Sequence, residues 1–180
     1  MQRRSSRAFT LIELLIVMAI IIVLAGLILA TVSYVQKKGQ RSRTEAEIAA
    51  LSAALENYKA DNGAYPRDQA TTDSLDVSTT AIANYNAANL KLYEYLSGDT
   101  NHDRTPETKT YFAFKPNQLS PIDQSQAVTA IRDPFGNPYG YSTIKAANPA
   151  ATSGYNPTFD LWSIADGAAG SDQSKWIKNW

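Results

Sequence analysis

The feature that most constrains this chain is an uninterrupted apolar run near its beginning. From Leu14 to Val32 the sequence reads LLIVMAIIIVLAGLILATV, 19 residues without a charged side chain. A helix of this length rises about 28 Å, which matches the hydrocarbon thickness of a bilayer. The run therefore predicts a transmembrane helix, and a chain of 180 residues leaves room for one modest soluble domain behind it.

A secretory signal peptide is the main alternative, because Arg3, Arg4 and Arg7 form a basic segment before the run. The apolar core of a signal peptide is typically about 7 to 15 residues long, however, and no A-x-A-like cleavage site follows this run cleanly. A retained helix is therefore the better interpretation. Basic residues also follow the run at Lys37 and Lys38, so the positive-inside rule leaves the orientation open.

One carboxylate, Glu13, stands at the front edge of the apolar run. An acid at mid-membrane costs about 2.5–3.5 kcal/mol on insertion scales, and such residues usually face a partner of opposite charge. Close to the headgroups, the same acid is merely hydrated. The physical chemistry of the residues alone leaves both interpretations open.

The residues around this acid, AFTLIE from Ala8 to Glu13, resemble the class III signal of type IV pilins and pseudopilins. The resemblance implies a leader of residues 1–8, cleavage by a prepilin peptidase between Ala8 and Phe9, and N-methylation of the new Phe9 amine. It also implies that Glu13 pairs with the N-terminal amine of a neighbouring subunit during assembly. Ala8 stands where the family usually has Gly.

Beyond the apolar run the sequence predicts that the helix continues. Apolar side chains recur at steps of three and four at Ile48, Leu51, Leu55 and Tyr58. This spacing gives one apolar face, which is suited to packing on a sheet. The tripeptide DNG at 61–63 offers a left-handed cap, so the helix is expected to end near residue 61.

The rest of the chain predicts short elements. A short helix is expected in AANLKLYEYLSG, and three strands are expected in KTYFAF, NPYGYSTI and TFDLWSI. The predicted fold class is α+β: a long N-terminal helix, membrane-spanning in its first half, packed by its second half on a small antiparallel sheet. The predicted divisions are a leader at 1–8, a transmembrane helix at 9–33 and a head domain at 34–180.

Two further stretches resemble the major pseudopilins of type II secretion systems. LENYKADNGAYP resembles the end of that family's long helix, and RDPFGNPYGY resembles its D-P-W-G-N-P-Y turn, with Phe135 in place of the Trp. The resemblance implies a structural subunit of a periplasmic pseudopilus that helps drive protein secretion across the outer membrane. It also implies a single-pass protein of the bacterial inner membrane with its head in the periplasm.

The partners that this resemblance implies are further copies of the chain, minor pseudopilins, the inner-membrane assembly platform, the prepilin peptidase and membrane lipid. It further implies a calcium ion in the C-terminal segment FDLWSIADGAAGSDQSKWIKNW. By position, Asp166 and Asp172 would be carboxylate ligands, and Ser163 would contribute through its carbonyl. Calcium prefers several oxygen ligands of these kinds.

A second calcium candidate lies in GDTNHDRTPE. The candidate ligands stand at relative positions 1, 3, 5 and 9 and are Asp99, Asn101, Asp103 and Glu107. This spacing resembles the start of a D-x-N-x-D calcium loop. Arg104 stands where such loops have Gly, and Thr110 occupies the place of the bidentate Glu. His102 is expected to be a solvated loop residue rather than a ligand.

Composition argues against other functional classes. One His and no Cys leave no recognisable nucleophile motif, so the chain is not expected to be an enzyme. The 17 basic and 17 acidic side chains give no electrostatic reason to expect nucleic acid. Two alternatives stay open: a type IV pilus subunit for adhesion, motility or DNA uptake, and a single-pass anchored binding protein that does not polymerise. Many type IV pilins close their C-terminal region with a disulfide, so the lack of Cys modestly favours secretion.

Overall fold

The computed structural model describes residues 9–169 and 173–180, without the side chains of 29–31. The chain forms two compact units, Met1–Gly39 and Gln40–Trp180. Among the described residues, every buried side chain belongs to the second unit. The second unit therefore has a hydrophobic core of its own. The predicted leader, 1–8, lies outside the described residues.

Helix α1 (Leu11–Asn62) supplies the apolar part of the first unit. Its described side chains from Leu11 to Ile28 are all exposed, and nearly all of them are hydrophobic. Within 9–169 and 173–180 it is the one helix that is long and apolar enough to cross a membrane. Apolar surface of this extent is unfavourable in water and is suited to lipid or to neighbouring helices.

In the second unit, α1 buries the predicted apolar face. Ile48, Leu51 and Leu55 are almost fully buried, and Tyr58 packs partly buried against the same core. The helix ends at Asn62, where Gly63 takes φ +78° and its N–H donates to the Lys59 carbonyl at 2.8 Å. This left-handed residue satisfies a backbone carbonyl of the last turn, and it confirms the predicted cap.

Helix α2 (Ile82–Ser97) confirms the predicted short helix and extends it toward the N-terminus. Its core-facing side chains include Leu92, Tyr93 and Leu96. Asn89 is also fully buried on this helix. Its Nδ2 donates to the carbonyls of Ile131 and Tyr139 at 3.0 and 2.9 Å, and its Oδ1 accepts from the Ile131 N–H. One side chain therefore links α2 to two segments of the sheet region.

Two small antiparallel sheets complete the head. The first pairs β1 (Leu119–Ser120) with β2 (Ala130–Ile131). The second has the order β3-β4-β5, built from β3 (Gly140–Ser142), β4 (Asp160–Ser163) and β5 (Ile177–Lys178). A short helix, α3 (Ile144–Ala147), follows β3, and 3₁₀ turns lie at Pro116–Gln118 and Gln173–Lys175. Strands β3 and β4 confirm two of the three predicted strands, and the fold is the predicted α+β, pilin-like class.

The prediction of a strand in KTYFAF is wrong. Residues 109–114 form no strand, because the N–H groups of Tyr111 and Phe112 both donate to the Leu96 carbonyl, at 2.8 and 2.9 Å. Phe112 and Phe114 lie edge to face, with ring centroids 4.7 Å apart, and Phe114 packs on Tyr93. The aromatic residues that suggested a strand therefore cover the end of α2 instead.

The core has two parts. The larger cluster joins the apolar face of α1 to α2 and to strands of both sheets, with Leu55, Leu96, Ile131 and Leu161 at its centre. The smaller cluster surrounds Trp162 and contains Tyr85, Trp176 and Ile164, among others. Burial of these large side chains holds β4 and the C-terminal segment against α2.

Candidate functional site

The prepilin signal falls partly within the described residues. Ala8 lies outside them, whereas Phe9 is exposed and precedes the first turn of α1. Oε2 of Glu13 accepts hydrogen bonds from the backbone N–H and the hydroxyl of Thr10, both at 2.8 Å. The Glu13 N–H in turn donates to the Thr10 hydroxyl oxygen at 3.3 Å.

This reciprocal pattern is a capping box, in which a Thr and a Glu three residues later satisfy the free N–H groups of a helix start. The sequence signal was present as T-x-x-E in Thr10 to Glu13, but the prediction above did not use it. Glu13 is therefore fixed by its own helix through one oxygen. Within 9–169 and 173–180 no hydrogen bond to its Oε1 is found, so this oxygen can still accept from another group.

The C-terminal candidate is anchored by a contact that the sequence did not reveal. Ser163, at the end of β4, is fully buried, and its hydroxyl donates to Oδ2 of Asp133. The same hydroxyl oxygen accepts the Ala165 N–H at 2.9 Å. The Ser163 side chain is thus engaged within the protein, which leaves its carbonyl as the predicted ligand atom.

Asp133 organises the turn that resembles D-P-W-G-N-P-Y. Its Oδ1 accepts the N–H groups of Phe135 and Asn137 at 2.9 and 2.8 Å, and its carbonyl accepts the Gly136 N–H at 2.9 Å. Burial raises the pKa of the Asp133 carboxyl, although hydrogen bonds from Ser163 and from the turn oppose the shift. Asn137 Nδ2 donates to the Ala165 carbonyl at 2.8 Å, which ties this turn to the C-terminal loop.

The predicted calcium ligands of that loop are only partly described. Asp166 is exposed and follows Ala165, which takes a left-handed φ of +51°. Asp172 lies outside the described residues. The set Ser163, Asp166 and Asp172 therefore stays a prediction.

The second candidate is more fully described. Carboxylate oxygens of Asp99, Asp103 and Glu107 all lie within 4.8 Å of one another. Asp99 is completely buried, whereas the other two side chains are exposed. Asn101 lies in the same loop and forms two hydrogen bonds with Asp103. Asn101 Nδ2 donates to Oδ2 of Asp103 at 3.3 Å, and Asn101 Oδ1 accepts the Asp103 N–H at 2.9 Å. The structure thus brings together the three predicted acids around one point.

Two further residues of this loop, Arg104 and His102, were singled out in the sequence. Arg104 takes φ +74°, the left-handed conformation for which a Gly was expected. Its guanidinium donates to the carbonyls of Pro121, Asp123 and Gln126, and these bonds hold the residue in this uncommon backbone conformation. His102 is not solvated as expected, because it is partly buried with Nε2 2.8 Å from Oε1 of Glu94.

One long helix, apolar in its first part with an acid at its start and packed in an α+β head by its second part, is the architecture of the pilin-like class. Comparison with known families agrees with this. A model described as "prokaryotic N-terminal methylation motif" matches residues 3–29, and one described as "type II secretion system (T2SS), protein G" matches residues 31–123. The chain belongs to the type II secretion system protein G family, the family of the major pseudopilins.

Two curated relatives match over the whole chain. The type II secretion system core protein G of Pseudomonas aeruginosa is 30% identical over 182 residues, with 100% of this chain and 99% of the relative covered. The protein of the same name from Aeromonas hydrophila is 27% identical over 181 residues, covering 100% and 96%. A type IV wide pilus major component of Thermus thermophilus is 35% identical over 77 residues, covering 43% and 59%. No solved structure matches this chain.

Proposed function

We propose that this chain is the structural subunit of a periplasmic pseudopilus, and that growth of this filament helps drive protein secretion across the outer membrane. Membership of the protein G family supports this function, as does the full-length similarity to two relatives named core protein G. The chain would act by assembling rather than by catalysis. Its head would lie in the periplasm, and its apolar helix would be drawn from the inner membrane into the filament.

The single observation that carries the assembly role is Glu13 on an otherwise apolar helix face. Ile16 and Val17, three and four residues further along the same face, are exposed and hydrophobic. A carboxylate there needs a partner of opposite charge once water is removed. In this proposal the partner is the methylated Phe9 amine of a neighbouring subunit, which exists only after cleavage between Ala8 and Phe9.

Such a pair would fix the axial position of one subunit relative to the next. Docking out of position would leave a charge without compensation in a medium of low dielectric constant, where this is costly. The capping hydrogen bonds from Thr10 hold Oε2, which would leave Oε1 to meet the incoming amine. Further partners proposed are minor pseudopilins, the inner-membrane assembly platform, the prepilin peptidase and membrane lipid.

The experiment must separate the charge of Glu13 from its capping role. Glu13→Gln keeps the volume and the hydrogen-bonding oxygen of a capping box but removes the charge. Thr10→Ala removes the hydroxyl that bonds Glu13 but keeps the charge. Each variant is expressed in cells that lack this chain, and filament formation and export of a secreted enzyme are measured alongside the amount of processed subunit in the membrane.

We expect Glu13→Gln and Glu13→Ala to abolish filaments and export while processed subunit still accumulates in the membrane. We expect Thr10→Ala to retain most of both. Normal filaments and export with Glu13→Gln would overturn the proposed ion pair, because a cap alone would then explain the acid.

A type IV pilus subunit is the competing function, and the partial similarity to the Thermus thermophilus pilus component favours it. That similarity covers less than half of this chain, whereas the secretion relatives cover all of it. Deletion of the chain distinguishes the two functions. Loss of export with unchanged surface pili supports the secretion role, and loss of surface pili with unchanged export overturns it.

A further inference from the structure

We propose that the loop 98–108, which follows α2, binds a divalent cation with the ligand preferences of Ca²⁺. The cation would be held by Asp99, Asp103 and Glu107. The site is separate from Glu13 and does not depend on the proposed filament. It is also distinct from the C-terminal loop around Asp166. The Glu13 ion pair, the C-terminal calcium loop and this cation site can therefore be tested independently.

The buried carboxylate of Asp99 carries this inference. Its Oδ2 accepts two hydrogen bonds, from the Tyr93 hydroxyl and from the Arg104 N–H, both at 2.7 Å. Its Oδ1 is completely buried and has no hydrogen-bond partner within 9–169 and 173–180. A buried polar atom without a partner is costly, and a bound cation is one of the groups that can satisfy it.

The charges around Asp99 point the same way. Carboxylate oxygens of Asp103 and Glu107 lie within 4.8 Å of that of Asp99 and of each other. In the part of the chain that the structure describes, no Lys, Arg or His forms an ion pair with any of the three. Three acids this close repel one another unless a cation lies between them.

The nearest basic side chain in sequence is engaged elsewhere. The guanidinium of Arg104 donates to three backbone carbonyls of the segment 121–126, the shortest of these bonds being 2.6 Å from Nη2 to Pro121 O. The imidazole of His102 meets Glu94, not the cluster. The ligand atoms that remain are all oxygens, which suits a hard cation rather than zinc or copper.

The loop is closed and its ligands are held in place. The N–H groups of Glu107 and Thr108 both donate to the Gly98 carbonyl, at 2.9 and 3.0 Å. The N–H and the hydroxyl of Thr100 donate to Oε2 of Glu107, at 2.8 and 3.1 Å. Asp103 and Glu107 are exposed, so an ion can reach their side of the cluster from solvent.

The cation would also stabilise a second segment. The Val128 N–H donates to the His102 carbonyl at 2.9 Å, and Arg104 binds residues 121–126. A cation that fixes the acidic loop therefore fixes the segment 121–128 as well. The chelated protein should show faster amide exchange in both places than the calcium-loaded protein.

The test uses the purified full chain in detergent micelles, stripped with a chelator and then titrated with Ca²⁺ alone. Binding heat, melting temperature and amide hydrogen exchange are measured. The variants are Asp103→Asn and Glu107→Gln, which replace exposed acids by amides of the same size and so are expected to fold. Glu45→Gln is the matched control, since Glu45 is an exposed acid of α1 outside both the cluster and the segment 121–128, and Asp166→Asn reports on the C-terminal loop.

We expect Ca²⁺ to raise the melting temperature of the wild type and to slow exchange at 98–108 and 121–128. Asp103→Asn and Glu107→Gln should each weaken binding by more than about tenfold, since even loss of an outer-shell partner costs about 10–100-fold. Glu45→Gln should bind as the wild type does. The inference is overturned if the wild type binds no Ca²⁺. It is equally overturned if binding survives in both loop variants, including the case in which only Asp166→Asn removes it.

Discussion

The Ser163 hydroxyl donates a hydrogen bond to Oδ2 of Asp133, and this contact joins the end of β4 to the turn that precedes β3. Asp133 is 4% exposed, so the carboxylate at this junction is largely removed from water. Burial raises its pKa, which makes the junction sensitive to pH.

The sign of this sensitivity follows from linkage. Because the folded-state pKa of Asp133 is raised, the folded protein binds a proton more readily there than the unfolded chain does. This contribution to stability is fully present below the unfolded pKa and is lost as the pH rises through the folded pKa. We expect the unfolding free energy of Asp133→Asn, relative to wild type, to rise with pH across that window, as measured by denaturant titrations at several pH values.

Asp123 provides the opposite case. Hydrogen bonds from Ser125, first from its hydroxyl and then from its N–H, and a further one from Gln126 lower the pKa of the Asp123 carboxyl. Its contribution is present above the unfolded pKa and is lost as the pH falls through the folded pKa. The relative stability of Asp123→Asn should therefore fall with rising pH. The same slope in both variants would contradict this account.

Gly98 and Gly63 form a matched pair for backbone strain. Both take a left-handed φ, +77° and +78°, but a Cβ on Gly98 would lie 2.6 Å from the Thr108 carbonyl oxygen, whereas one on Gly63 would meet nothing within 4 Å. We expect Gly63→Ala to cost about 1–2 kcal/mol, the penalty of a left-handed residue with a Cβ. Gly98→Ala should cost clearly more, as measured by denaturant unfolding. Equal losses would show that the loop moves away from the clash.

Asn89 should contribute more to stability than its size suggests. Asn89→Ala removes the Asn89 partner of the Ile131 N–H and of the Tyr139 carbonyl, and it leaves the Ile131 carbonyl with the Tyr139 N–H alone, at 3.4 Å. Since each unsatisfied buried group costs about 1–3 kcal/mol, we expect a loss of at least about 2 kcal/mol in unfolding free energy. Asn84, exposed on the same helix, is the control, and Asn84→Ala should be within about 0.5 kcal/mol of wild type. A small effect at Asn89 would mean that water replaces its hydrogen bonds.

Leu55 tests the core formed by the second half of α1. It is completely buried, so Leu55→Ala should lower the unfolding free energy by about 2–5 kcal/mol through lost burial and a residual cavity. Ile122 is 79% exposed, and Ile122→Ala should change stability by no more than about 0.5 kcal/mol. Comparable losses for the two variants would be inconsistent with the core described here.

The parts of the fold that the sequence predicted correctly depend on neighbours along the chain. The apolar run, the face containing Leu51 and Leu55, and the cap at Gly63 are set by a helical period and by local backbone conformation. The strand expected at 109–114 was wrong because its aromatic residues had a tertiary alternative, the end of α2. Strand β5 was missed because two residues, Ile177 and Lys178, carry too short a pattern to recognise.

The candidate sites divide in the same way. The motif from Ala8 to Glu13 by itself determined the family signal, since its residues are contiguous and act through one helix start. The spacing of Asp99, Asp103 and Glu107 suggested a cation loop, but only the tertiary structure placed their oxygens together and buried Oδ1 of Asp99 without a partner. Burial, and the distance between residues far apart in sequence, arise from the packing of the whole head, so no local pattern can encode them.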